Sequence, residues 1–335
     1  MNCTYCEWRC DLSDGRLGVC RMYAESRGEI KERFPDSYCT YSISRIESLP
    51  FYHVYPGSRS MTLGTSSCNF KCRYCSNGFI ARQRPEEVQE RMFNLTPRDL
   101  VGLAKKSGCH NIVFNINEPA VSLPSLQALS REARQEGFAM GCLTNGYTTE
   151  EATQIMASVF SFFNIGLKGF SDRFHREFIG VPGVAPILRN IRTLARTCHI
   201  EVTTPVIQPG NEEELDAIAD FLAEVDPQIP WHVFRLLPEH DMKDCPYPDI
   251  TAIDQSLHAA RKKLSYVYFH NFVGSEWVNT LCPGCGRAVI ERFSLGCGGD
   301  RLDQYHCTDN RCPACGYEIP ILGERTPWRA GEVTP

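Results

Sequence analysis

The chain has no excess of charge of either sign: 35 lysines and arginines stand against 40 aspartates and glutamates, a net charge of −5 over 335 residues. Binding to nucleic acid or to an anionic membrane needs a concentrated positive field, so neither partner is expected. Long apolar runs are also missing, and no uninterrupted stretch approaches the roughly 20 residues of a membrane helix. The N-terminus, Met1-Asn-Cys-Thr-Tyr-Cys6, lacks the basic segment followed by an apolar one that marks an export signal. The expected location is the cytoplasm. What is present is 42% hydrophobic residues, enough for one large domain with smaller appendages.

Cysteine is abundant, with eighteen residues. A reducing compartment does not sustain disulfides, so clustered cysteines there read as metal ligands. They fall into three groups: Cys3, Cys6, Cys10 and Cys20; Cys68, Cys72 and Cys75; and Cys282, Cys285, Cys312 and Cys315. The others, Cys39, Cys109, Cys142, Cys198, Cys245, Cys297 and Cys307, read mostly as small buried hydrophobes. Cys297 and Cys307 lie inside the last group and are candidates for a second metal or a substituted ligand.

The central group sits in Thr65-Ser-Ser-Cys-Asn-Phe-Lys-Cys-Arg-Tyr-Cys-Ser-Asn77. Three thiolates cannot complete a four-cysteine iron–sulfur site. If they hold a [4Fe–4S] cluster, one iron stays open for a small ligand, which is a catalytic arrangement. A zinc knuckle or unligated core thiols are the alternatives.

Between the outer groups, strand-like and helix-like segments alternate, as in βαβ units. Expected strands are Ser60–Gly64, Asn111–Asn117, Ala139–Thr144, Phe162–Lys168, His199–Ile207 and Trp231–Leu237, with Tyr266–Phe272 as a possible addition. Thr96 before Pro97 predicts a capped helix that stops at Gly108. Leu126–Gln135, Glu150–Val159, Pro186–Thr197, Glu212–Val225 and Ala252–Leu264 carry apolar residues at helical spacing. Six units predict an open, partial (β/α)6 barrel. Chemistry in such barrels gathers at the C-terminal ends of strands. There this chain places Asn117-Glu-Pro119, Thr144-Asn-Gly146, Lys168 and Arg235.

Taken in order, these blocks resemble the radical S-adenosylmethionine (SAM) superfamily. The resemblance is closest to its pyruvate formate-lyase activating-enzyme branch, and within it to the radical SAM protein of the AmmeMemoRadiSam system. Phe51-Tyr-His-Val-Tyr-Pro-Gly-Ser58, Thr144-Asn-Gly-Tyr147, Leu167-Lys-Gly-Phe170, Ile200-Glu-Val-Thr-Thr204 and Pro230-Trp-His232 carry it, together with both cysteine-rich ends. Ser76 and Gly166 depart from the usual pattern. The resemblance implies a [4Fe–4S] cluster on Cys68, Cys72 and Cys75, with SAM on the open iron. It implies SAM contacts from Tyr74, Asn117, Glu118, Thr144, Asn145, Lys168 and Arg235. It also implies a reductant such as flavodoxin or ferredoxin, and a hydrogen-abstraction substrate that is a protein, a peptide or a small molecule. The two histidines His53 and His232 have no expected role.

Three modules are expected: residues 1–50 with four metal-binding cysteines, 51–275 forming the barrel, and 276–335 forming a ribbon and tail. The first group fits either zinc or an auxiliary iron–sulfur cluster. The last, Cys282-Pro-Gly-Cys-Gly286 with Cys312-Pro-Ala-Cys-Gly316, pairs two knuckles as a zinc ribbon or rubredoxin-like site does, with zinc favoured. A polypeptide substrate is expected to touch Trp8 or Trp277. The competing class is an iron–sulfur electron carrier or a zinc-binding adaptor, which needs no acidic or amide groups at strand ends.

Overall fold

The computed structural model describes residues 1–326. Near the N-terminus, β1 (Tyr23–Ser26) and β2 (Glu29–Glu32) form a hairpin. Arg27 and Gly28 close it at φ 56° and 80°, the left-handed pair that matches the twist of two strands. After a two-residue strand at Ser37–Tyr38, β3 (Thr40–Arg45) runs antiparallel to β4 (Arg59–Gly64).

From β4 the sheet is parallel. β5 (Asn111–Phe114), β6 (Ala139–Thr144), β7 (Phe162–Gly166), β8 (His199–Val206), β9 (Trp231–Arg235) and β10 (Val267–His270) follow in chain order. The connecting helices are α1 (Pro97–Lys106), α2 (Leu123–Gln135), α3 (Glu150–Val159), α4 (Ala185–Ala195), α5 (Leu215–Val225) and α6 (Ile250–Ala260). The Thr96 hydroxyl accepts from Asp99 N–H at 3.2 Å and so caps α1, whose Leu100, Val101 and Ala104 face inward. β4 and β5 are buried throughout: the sequential strand order puts the connecting helices on one face, and Ile46, Leu49, Phe51 and Val54 pack with Val113 on the other.

The expected six units become seven parallel strands plus an antiparallel edge. β10 is a full member of the sheet, and β3 was not anticipated. Its residues, Thr-Tyr-Ser-Ile-Ser-Arg, are largely polar and half exposed, as an edge strand allows. β3 and β10 do not pair, so the sheet stays open. Among the described residues, no helix is long and apolar enough to cross a membrane.

A second sheet, β11 (Thr280–Leu281), β12 (Ala288–Ser294) and β13 (Asp300–Tyr305), is antiparallel and carries the last cysteines. A buried polar row joins it to the main sheet. The Glu201 carboxylate accepts from the backbone N–H of Tyr52 and His53 and pairs with His232 Nε2. His232 Nδ1 lies 2.9 Å from His270 Nε2, and His270 Nδ1 lies 2.9 Å from Asp300 Oδ2. Arg292 lies 3.8 Å over the Tyr52 ring and donates to its carbonyl. His232 and His53 thus tie the modules together.

Candidate active site

Five strand ends converge on one cavity. Cys68, Cys72, Tyr74 and Cys75 line it from the loop after β4, Asn117 and Glu118 from beyond β5, Thr144 and Asn145 from the end of β6, and Lys168 from beyond β7; Thr203 of β8 joins them. Of the residues expected here, Arg235 is the one outside that lining. Its guanidinium donates to Asn271 O at 3.0 Å and lies over the Tyr247 ring at 5.1 Å.

The cysteine loop is held from several sides. Asn117 Oδ1 accepts from Thr65 N–H at 3.0 Å, and its Nδ2 donates to Thr65 Oγ1 and to the carbonyls of Ser66 and Ser67. The Arg82 guanidinium donates to Cys72 O at 3.1 Å. Lys71 and Arg73 donate their backbone N–H to the carbonyls of Ile179 and Phe178. With its amide fully engaged in this way, Asn117 positions the loop.

Glu118 is 2% exposed. Its carboxylate accepts from the Thr144 hydroxyl at 2.8 Å, from Asn145 N–H at 2.8 Å and from Ala120 N–H at 3.2 Å. Burial nevertheless pushes its carboxyl up to about 7, because desolvation outweighs these donors and the more distant Lys168. Asn145 is similarly committed: Nδ2 donates to Asn69 Oδ1 at 2.7 Å, and Oδ1 accepts from Tyr147 N–H. The buried Tyr74 hydroxyl has no partner, and Lys168 Nζ lies 5.9 Å from the centre of its ring.

Burial raises all three thiols, Cys72 to about 11 even with Lys168 nearby, so they remain protonated until a cation displaces the proton. The donor set fits an iron–sulfur cluster with one open iron: three soft ligands face a cavity whose other wall presents an anionic and a cationic side chain. No three of these sulfurs are within 4.8 Å of each other, as a single ion would require.

Residues 62–222 match the radical SAM superfamily. That span, just under half of the chain, matches a radical SAM domain. An uncharacterized protein of Methanocaldococcus jannaschii is 28% identical to it over 327 residues, 96% of each chain. The isethionate sulfite-lyase activating enzyme of Oleidesulfovibrio alaskensis is 31% identical over 178 residues, 52% of this chain and 55% of that one. A solved domain of a pyruvate-formate lyase-activating enzyme from Bacteroides vulgatus is 24% identical, with a TM-score of 0.37, covering 43% of this chain and 88% of that domain.

Beyond the radical SAM domain, the last four cysteines form a compact metal-binding group. Their sulfurs all lie within 4.8 Å of one another, with Cys282 to Cys315 at 3.5 Å and Cys285 to Cys312 at 3.7 Å. Tetrahedral bonds of about 2.3 Å to one ion set such separations. The knuckles repeat one geometry: Gly286 and Gly316 donate N–H to the carbonyls of Cys282 and Cys312 at φ 74° and 73°. Cys307 packs in the neighbouring apolar cluster and Cys297 is exposed, so both stand outside the group.

The two tryptophans expected at a partner surface are half-buried and also make contacts within the chain. Trp8 Nε1 donates to Asn69 O at 2.8 Å, Trp277 Nε1 donates to Asp254, and Arg261 stacks on the Trp277 ring at 3.6 Å. Asn69, which touches both the central loop and the N-terminal segment, was not singled out from the sequence. An asparagine after a cysteine carries no local signal; only packing reveals it.

Proposed function

We propose that this chain is a radical SAM enzyme of the activating-enzyme kind, in the branch that resembles the AmmeMemoRadiSam radical SAM protein. The observation that carries the reading is the fixed, buried Glu118 carboxylate in the same cavity as Cys68, Cys72 and Cys75. When bound, the [4Fe–4S] cluster and SAM supply reductive cleavage to methionine and a hydrogen-abstracting 5′-deoxyadenosyl radical.

The three cysteines hold the cluster and Glu118 receives the SAM ammonium. Thr144, the Asn145 amide and Ala120 aim that carboxylate, so they act by positioning it. Lys168 takes an anionic group of SAM or substrate, and Tyr74 walls the adenine. Arg235, turned to Asn271, plays no part in SAM binding. The buried walls hold one C–H bond of the substrate close to the reactive carbon radical, so that position and not intrinsic reactivity selects the hydrogen removed.

The substrate is proposed to be a polypeptide, supported by the similarity to the isethionate sulfite-lyase activating enzyme of Oleidesulfovibrio alaskensis. An electron carrier would have no use for a buried glutamate held by three donors. Anaerobically reconstituted protein given dithionite and SAM should release 5′-deoxyadenosine and methionine, and Cys68→Ala, Cys72→Ala or Cys75→Ala should abolish the release. Cleavage retained in any of these variants would overturn the assignment. Incubation with proteins made in deuterated medium should place deuterium in 5′-deoxyadenosine; transfer from small metabolites alone would remove the polypeptide.

A further inference from the structure

The first four cysteines share one enclosed cavity. Asn2 and Asp11 form an antiparallel bridge, and Cys3 N–H donates to Cys10 O at 2.8 Å, which brings the ends of the Cys3–Cys10 loop together. The chain then turns at Gly18 and returns Cys20 to the same space. Cys3, Cys6 and Cys20 are buried, Cys10 is half-buried, and none forms a disulfide. Apart from the cysteines, the wall is mostly apolar, with Leu12, Tyr23 and Val121 prominent. Gly18 is required here, because a Cβ would sit 2.9 Å from Cys10 Sγ. The adjacent Val19 N–H points at that sulfur from 3.4 Å.

Two features decide what these sulfurs hold. Among the described residues, the only thiols gathered three or more within 4.8 Å are the C-terminal four. No three of the N-terminal sulfurs lie that close, although all four line one cavity, and the same holds for the central three. One ion draws four sulfurs onto a small tetrahedron, whereas a cubane gives each sulfur its own iron and spreads them. The second feature is Asn69. It is 1% exposed, lines this cavity, and its Nδ2 has no hydrogen-bond partner. Its Oδ1 meanwhile faces Cys68 Sγ at 3.7 Å and accepts from Asn145 Nδ2. A buried amide with an unused donor beside Cys6 is what a thiolate-bound cluster satisfies.

We propose that Cys3, Cys6, Cys10 and Cys20 bind a second, fully ligated [4Fe–4S] cluster, and that Asn69 couples it to the central site by contacting the sulfur shells of both. Four protein ligands leave no open iron, so this cluster exchanges electrons and does not bind SAM. A low-potential one-electron donor protein reduces it by one electron, and that electron passes to the central cluster with no atom transferred. Asn69 donation to a thiolate stabilises the more negative, reduced form. Loss of that bond lowers the potential of the N-terminal cluster.

The coupling rests on the central cluster proposed above, but the second cluster does not, and the test separates them. The Cys68→Ala/Cys72→Ala/Cys75→Ala variant, reconstituted anaerobically, keeps the N-terminal ligands intact. It should retain about four irons and four sulfides per chain by colorimetric count, half the wild-type content. Iron near zero in this variant, or a second equivalent of zinc in the wild type, would overturn the second cluster. Cys6→Ser with Cys20→Ser gives the complement: iron falls by half and the central signal persists in electron paramagnetic resonance. Asn69→Ala should leave the iron count at the wild-type value and shift the N-terminal cluster's midpoint downward in a redox titration. An unchanged midpoint would remove the coupling while leaving the second cluster in place.

Discussion

Replacing Glu118 with glutamine removes one charge and leaves the shape of the side chain nearly unchanged, which makes it the sharpest test of the site. In the wild type, three donors hold the carboxylate in a buried wall. A charge-assisted hydrogen bond to an ammonium contributes about 1.5–3 kcal/mol. At about 1.4 kcal/mol per factor of ten, Glu118→Gln should weaken SAM binding roughly 10- to 150-fold. A pH series makes the test independent of misfolding. Burial raises the carboxyl to about 7, so the anion that receives the ammonium disappears as pH falls through that value. Wild-type affinity should therefore hold above pH 8 and drop up to about tenfold per unit below 7, while the glutamine variant stays flat. Equilibrium binding of SAM to the anaerobically reconstituted protein between pH 6 and 8.5 reads both quantities. Equal affinity in the two proteins, or the same pH slope in both, would refute the role given to Glu118.

The buried row predicts acid sensitivity. Burial holds His232 down to about 4, and bonds from His199 and His232 overcome burial to hold Glu201 well below its usual range. Both are depressed in the fold, so their stabilisation is complete above about pH 6.5 and is lost as pH falls; His232 alone should cost about 2 kcal/mol by pH 5, and a flat unfolding free energy from pH 7 to 4.5 would contradict this. Cys285→Ser or Cys315→Ser should release one equivalent of zinc and lower the melting temperature before it touches SAM cleavage, since metal binding there is coupled to folding; iron in place of zinc would make the site rubredoxin-like. Asn117→Ala strips the loop before Cys68 of four hydrogen bonds, and it should lower iron retention by the central site while α-helical circular dichroism stays unchanged.

The sequence alone determined the elements that depend on local chemistry. Periodicity placed α3 at Glu150–Val159, the Thr96–Pro97 pair opened α1, and apolar runs marked β4 through β9 within a few residues. Cysteine spacing likewise separated three cysteine groups, the last of which the fold gathers within 4.8 Å, because a ligand must recur within the reach of a turn. Tertiary structure decided whatever depends on distant residues meeting. It paired the half-polar β3 with β4, bonded Arg235 to Asn271 outside the cavity lining, and engaged Asn117 and Asn145 with their neighbours. It also set Asn69 between two cysteine groups that lie 48 positions or more apart at Cys20 and Cys68, and buried Glu201, His232, His270 and Asp300 in one row. A hydrogen bond between residues far apart in the chain leaves no period in the sequence. Only the folded chain, by excluding water and demanding a partner for every buried polar atom, shows which of many ordinary asparagines, histidines and acids were placed for it.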